Sequence, residues 1–148
     1  MFHLIRTNKH GHLTNVYFPK DGMQKTTLLE TLETLNSPRT YPLWITGGDF
    51  NMITRLEEKL GGRIKLDNEI NNFKECIQCN GLIDLPFDND TYTWNNKRVS
   101  SQQISSRLDR YLISDNFFHL GGDICASILP IAGSDHWPIS LQWKIPGK

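Results

Sequence analysis

The sequence predicts one α/β or α+β domain built of packed layers. Short apolar runs of strand character alternate with two segments of helical period. No interdomain linker, internal repeat or low-complexity tract interrupts residues 1–148. That length suits a single domain with its own core.

Each element has a local signal. Phe2–Arg6 reads as a strand, Asn8-Lys9-His10-Gly11 as a turn and His12–Phe18 as a second strand, so the two form a hairpin. Pro19-Lys20-Asp21-Gly22 ends it. A helix is expected from Met23 to Leu35, with Leu28, Leu32 and Leu35 at helical spacing and Asn36-Ser37-Pro38 as its stop. Leu43–Thr46 is a buried strand, and Gly47-Gly48 lets the backbone turn sharply at its end. Asn51–Arg63 reads as irregular. A second helix runs from an Asp67 cap to Asn80-Gly81, with Ile70, Phe73 and Ile77 on one face. The rest is β-rich: Leu82–Leu85, Thr91–Trp94, Arg107–Ile113, Ile124–Leu129 and Trp137–Lys144 are strands. Asp88-Asn89-Asp90 and Asn95-Asn96-Lys97 are turns, and Asp115–Leu120 is a short helical turn.

Composition narrows the function. Sixteen basic and sixteen acidic residues cancel, which argues against tight, purely electrostatic nucleic-acid binding. An enzyme that meets phosphate through a bound cation remains compatible with neutrality. No apolar run approaches the roughly 20 residues that span a bilayer, and Met1–Arg6 lacks the features of a signal peptide. Three cysteines, Cys76, Cys79 and Cys125, fit reduced thiols. Cys76 and Cys79 have redox-motif spacing, but they fall within a helix and no second pair exists for zinc, so they read as packing residues.

Three polar clusters interrupt the apolar pattern: Gly47-Gly48-Asp49-Phe50-Asn51, Ser106-Arg107-Leu108-Asp109-Arg110 and Ser134-Asp135-His136. In an extended strand Asp109 shares a face with Tyr111 and Ile113, where a lone carboxylate is costly. It either pairs with Arg107 or Arg110 or orients another side chain, for which His136 is the natural candidate. His3, His10, His12 and His119 lack acidic context and read as surface or packing residues. Asp135 and His136 are adjacent and point apart in extended backbone, so each serves something different. Asp49 and Asn51 can face the same way, an acid to accept a water's proton beside an amide to bind substrate, or simply an Asx-rich turn. A serine-hydrolase arrangement fails, because contiguous Ser134, Asp135 and His136 cannot form the required chain of contacts and no nucleophile elbow is present. Acids with one histidine and one asparagine favour a hard, oxygen-ligated cation such as Mg²⁺, and phosphoryl or phosphodiester chemistry.

The order of these clusters resembles the endonuclease/exonuclease/phosphatase superfamily. The chain is most similar to the apurinic-type endonuclease domain of plant LINE-like (non-LTR) retrotransposons. Leu13–Pro19, Trp44–Asn51, Glu57–Gly62, Thr91–Asn95, Ser106–Ser114 and Ser134–Pro138 carry the resemblance, which runs nearly end to end.

The resemblance implies a two-sheet α/β sandwich with the site where strand ends of both sheets converge. It implies that Asp49 activates water, Asn51 positions the phosphate, Asp109 orients His136, Asp135 lies near or on the metal and Tyr17 contacts the phosphate. The implied cofactor is Mg²⁺, with Mn²⁺ as a substitute, and the implied partner is the DNA phosphate backbone. A monomer without membrane association is expected, nuclear by family, with a reverse-transcriptase region in a parent polyprotein. The family also places an asparagine and a metal-ligating glutamate upstream of the position of Tyr17. Here sixteen residues precede Tyr17, none of them acidic, and the first carboxylate is Asp21. The chain is therefore expected to be the C-terminal two-thirds of such a domain, with an exposed edge, weak metal binding and impaired DNA nicking. A catalytically inactive remnant or binding module is the alternative, and a small-molecule phosphatase of the same superfamily a third.

Overall fold

The computed structural model describes residues 2–4, 9–36, 42–63, 68–131 and 133–144. Its main sheet has the order β1-β2-β3-β8-β5, built from β1 (Phe2–Leu4), β2 (Lys9–Tyr17), β3 (Trp44–Asp49), β8 (Asp109–Ser114) and β5 (Leu82–Asp84). β2 and β3 are parallel and the other pairs antiparallel. A parallel pair needs a crossover, which α1 (Gly22–Asn36) provides. A second sheet pairs β9 (Asp123–Ile128) with β10 (Ile139–Lys144). A small three-stranded ribbon has the order β4-β7-β6, from β4 (Lys59–Leu60), β7 (Ser105–Ser106) and β6 (Trp94–Asn95). The expected mixed α/β architecture is present, with this ribbon added to the two sheets.

Strand alternation divides the core between the two faces of the main sheet. On one face Val16, Trp44 and Leu112 meet Leu29 and Leu32 of α1 and Phe73 and Cys76 of α2 (Asn68–Cys79). On the other, Ile113 packs with Ala126 of β9 and Phe117, flanked by Leu141 and Trp143 of β10. The molecule thus layers helices, main sheet and small sheet. Leu13 and Tyr17, register partners of Ile45 and Asp49, are exposed.

Several boundaries differ from expectation. Lys9, His10 and Gly11 belong to β2 and pair with β1, rather than forming the turn. Arg6 and Asn8, Ser37-Pro38 and the Asp67 cap lie outside the described residues. Asp21 caps α1, its Oδ1 accepting the Gln24 N–H at 3.1 Å. The buried face of α1 is Lys25, Leu29, Leu32 and Asn36, while Leu35 is 45% exposed. Of the expected set, Leu32 is buried and Leu28 packs against the same core, so the buried face is centred on Leu29 and only Leu35 falls outside it. The segment from Asn51 to Arg63, expected to be irregular, contains the 3₁₀ turn Leu56–Glu58 and β4. β6 is shorter and later than the strand expected over Thr91–Trp94, and it takes Asn95 from the expected turn. Arg107 and Leu108 form a break ahead of β8, and β10 starts at Ile139 rather than Trp137.

The strand over Leu43–Thr46 does not turn at Gly47-Gly48 but continues through both glycines to Asp49. The glycines make room. Gly47 lies opposite Tyr111, and a Cβ there would sit 2.5 Å from the tyrosine ring. Gly48 has φ +133°, and its Cβ would lie 2.2 Å from the Val16 carbonyl oxygen. Backbone cannot yield as a side chain can. Gly48→Ala is therefore expected to destabilise by about 2–3 kcal/mol in chemical denaturation, by separating β2 from β3.

Candidate active site

Asp49 ends β3 and Asp109 begins β8, and the two are directly opposed in the antiparallel register. Opposed residues project from the same face, so two acids meet at one end of the sheet. His136 arrives from the segment between β9 and β10. That segment is fastened to the Thr93–Asn95 stretch: Trp137 N–H donates to the Thr93 carbonyl at 2.8 Å, and Asn95 N–H to the Asp135 carbonyl at 3.1 Å. Trp94 and His136 form an isolated antiparallel bridge.

His136 Nδ1 lies 2.9 Å from Asp109 Oδ2. A carboxylate accepts, so Nδ1–H is the donor and Nε2 faces the other way. Nε2 is 3.8 Å from Asp49 Oδ2. Of the two partners open to Asp109, the histidine is the one engaged. Arg107 and Arg110 turn instead to Glu58 and Asp84.

Asn51, at φ +49°, folds back onto Asp49. Its N–H donates to Asp49 Oδ1 at 2.8 Å, and its side-chain Nδ2 donates to Asp49 Oδ2 at 3.1 Å and to the Phe18 carbonyl at 2.6 Å. Both amide hydrogens are thereby used within the protein, and Asn51 orients Asp49 in this arrangement. The buried Lys25 bonds the Asn51 carbonyl at 2.8 Å and Glu69 Oε1 at 2.8 Å, tying the loop to both helices.

Burial is the main influence on Asp49 and raises its carboxyl above the ordinary range. The Asn51 N–H opposes this, the Asp109 charge adds to it, and His136 and Lys20 oppose it. Asp135 lies apart. Its Oδ2 accepts the Trp94 indole N–H at 2.9 Å, a bond that holds its carboxyl below the ordinary range. Tyr17, the β2 residue paired with Asp49, is 77% exposed. Among the described residues, Asp49, Asp109 and His136 are a group that could hold a metal ion, with ligand atoms within 4.8 Å of one another.

Some contributors are not among the site residues expected from the sequence. Glu58, 1% exposed, accepts from Arg107 at 2.9 Å, from Arg110 at 3.0 Å and from the Thr54 N–H at 2.7 Å. Asp84 closes the network on both arginines. Arg107 lies over the Phe87 ring and Arg110 over Phe73. This network braces the start of β8 and the loop after Asn51 from behind, where Arg110 also donates to the Met52 carbonyl. The network's signals in the sequence are charge in otherwise apolar surroundings at Arg107 and Arg110, and the place of Glu58 in the Glu57–Gly62 stretch. Cys76 is buried and its thiol is pushed up to about 12, chiefly by burial, in keeping with a packing role.

The fold is the mixed α/β architecture of endonuclease/exonuclease/phosphatase-type domains. Three solved structures illustrate the likeness. The endonuclease domain of TRAS1, a telomere-specific non-LTR retrotransposon, superposes with a TM-score of 0.63 at 19% identity, over 88% of this chain and 56% of that one. The AP endonuclease LMAP from Leishmania major gives 0.62 at 19% identity, over 83% and 43%. TDP2 from D. rerio, solved with a single-strand DNA product, gives 0.61 at 14%, over 93% and 58%. The chain thus spans about half the length of these neighbours. No protein-family model and no curated protein matches it. Among the described residues, no helix is long and apolar enough to cross a membrane.

Proposed function

We propose that this chain carries a metal-assisted phosphodiester hydrolysis on DNA, of the kind performed by retrotransposon endonuclease domains. The observation that supports it most is the alignment of Asp109, His136 and Asp49 at 2.9 and 3.8 Å. In this reading Asp49, its carboxyl raised by burial, takes a proton from the attacking water. The water oxygen bonds to phosphorus as the ester P–O bond breaks. His136, fixed by Asp109, faces the charge that develops on the phosphoryl oxygens. Asn51 holds Asp49 and contacts the phosphate by releasing its bond to Oδ2. Exposed Tyr17 offers its hydroxyl to a neighbouring phosphate oxygen.

Of the converging group Asp49, Asp109 and His136, the two carboxylates suit a hard cation. Bound Mg²⁺, or Mn²⁺ in its place, supplies charge neutralisation at the phosphate. We assign Asp135 as its ligand, on the strength of an ionised, exposed carboxylate anchored by Trp94. Binding is expected to be weak, because both oxygens of Asp49 and one of Asp109 are engaged in internal hydrogen bonds. The same proposal includes kinship with plant LINE-like elements, a monomeric state and a parent polyprotein with a reverse-transcriptase region. The Glu57–Gly62 and Thr91–Asn95 stretches support the kinship.

The test is nicking of supercoiled plasmid in Mg²⁺. Weak nicking is expected, and Asp49→Asn and His136→Ala should each reduce it further, by up to about 10²–10⁴-fold. Nicking unaffected by both substitutions would sink the assignment. No nicking, together with melting that Mg²⁺ leaves unchanged, would instead support a binding module without catalysis. Faster turnover of small phosphomonoesters than of plasmid would support the phosphatase.

A further inference from the structure

We propose that Thr93 is the positioning residue that holds Asp109 and His136 in register with each other. The inference rests on the catalytic reading above.

Thr93 is fully buried. β7 ends at Ser106 and β8 begins at Asp109, so the chain between them leaves the ladder. The N–H groups of Leu108 and Asp109 both donate to Thr93 Oγ1, at 3.0 and 2.9 Å. A hydroxyl oxygen has two acceptor sites, and here it serves two successive donors that a strand break would otherwise orphan. The second of them is the backbone N–H of Asp109 itself. On its other side, the Leu108 carbonyl accepts the Phe50 N–H at 2.9 Å, so the same break is tied to the residue after Asp49.

The main chain of Thr93 extends the connection. Its N–H donates to the Ser106 carbonyl at 3.0 Å, and its carbonyl accepts the Trp137 N–H at 2.8 Å. Trp137 follows His136 directly. One residue thus fixes the backbone of the acid through its side chain and the backbone beside the histidine through its main chain. The 2.9 Å contact between Asp109 and His136 depends on both. Removing the hydroxyl leaves the histidine's anchor intact and releases the acid's.

The experiment follows the ring nitrogens of His136 by ¹⁵N NMR at mildly alkaline pH, in the whole chain. In the wild type, Nδ1 should carry the proton, because Asp109 accepts it. Thr93→Ser should keep that tautomer. Thr93→Val and Thr93→Ala should move His136 to the Nε2–H form usual for an unpaired imidazole, matching an Asp109→Asn control, while circular dichroism stays that of a folded protein. A folded Thr93→Val that retains the Nδ1–H tautomer would overturn the proposal. Unfolding of both Thr93→Val and Thr93→Ala would also overturn it, by assigning the hydroxyl to global stability alone. The readout needs no nuclease activity, so the proposal can fail while the catalytic reading stands, or the reverse.

Discussion

Replacing Glu58 with alanine is expected to destabilise the protein by about 3–5 kcal/mol, a large share of the roughly 5–15 kcal/mol that holds a domain together. Glu58 is enclosed with two buried arginines, Arg107 and Arg110, at 2.9 and 3.0 Å. Removing the carboxylate leaves Asp84 alone to balance both guanidinium groups. Chemical denaturation measures the loss. Acid should produce it gradually in the wild type. Burial pushes the Glu58 carboxyl upward, but Arg110, the Thr54 N–H and Arg107 outweigh it and hold it at about 2, against an ordinary 4.5. A group whose pKa is depressed by folding stabilises the fold above its unfolded pKa and stops doing so as pH falls through the folded one. Wild-type stability should therefore fall between pH 4.5 and about 2. Glu58→Gln should be less stable at neutral pH and lose less across that window. A Glu58→Ala protein as stable as the wild type would remove the network from any account of the fold.

Asp109→Asn is expected to lower nicking by about 10²–10⁴-fold while leaving the melting temperature near that of the wild type. The substitution keeps the shape and the backbone N–H that Thr93 receives. It removes the negative charge that stabilises a protonated His136 and allows an amide to face Nδ1 in the wrong sense. It also removes one of the influences that raise Asp49. The acidic limb of the residual activity should accordingly move to lower pH. Undiminished nicking by this variant would show that Asp109 is not what orients the histidine.

The helices and the central strands could be read from apolar period, since Phe73 and Ile113 stand where a buried face demands an apolar side chain. The meeting of Asp109 with His136 was also legible as one of two alternatives, because an acid on an apolar strand face needs a partner. Gly47-Gly48 was not. Glycine lowers the cost of a turn and of close packing alike, and only Tyr111 and the Val16 carbonyl decide between them. Nor could the sequence pair Glu58 with Arg110, which sit far apart in the chain and meet only through the sheet. Asp135 shows the same limit. Its partner is the indole of Trp94, contributed by a two-residue strand with little local signal.

The opposition of Asp49 and Asp109 has a consequence for the order of folding. The two strands that carry them are joined by a long connection containing α2, β5 and all three strands of the small ribbon. Closing such a loop is entropically slow, and non-local pairings of this kind form late. Slippage by one residue would also send the two carboxylates to opposite faces of the sheet. The site therefore cannot exist in a half-folded chain. A signal from His136 paired with Asp109 marks a molecule whose strands have finished searching for their partners, and it would time the last step of folding.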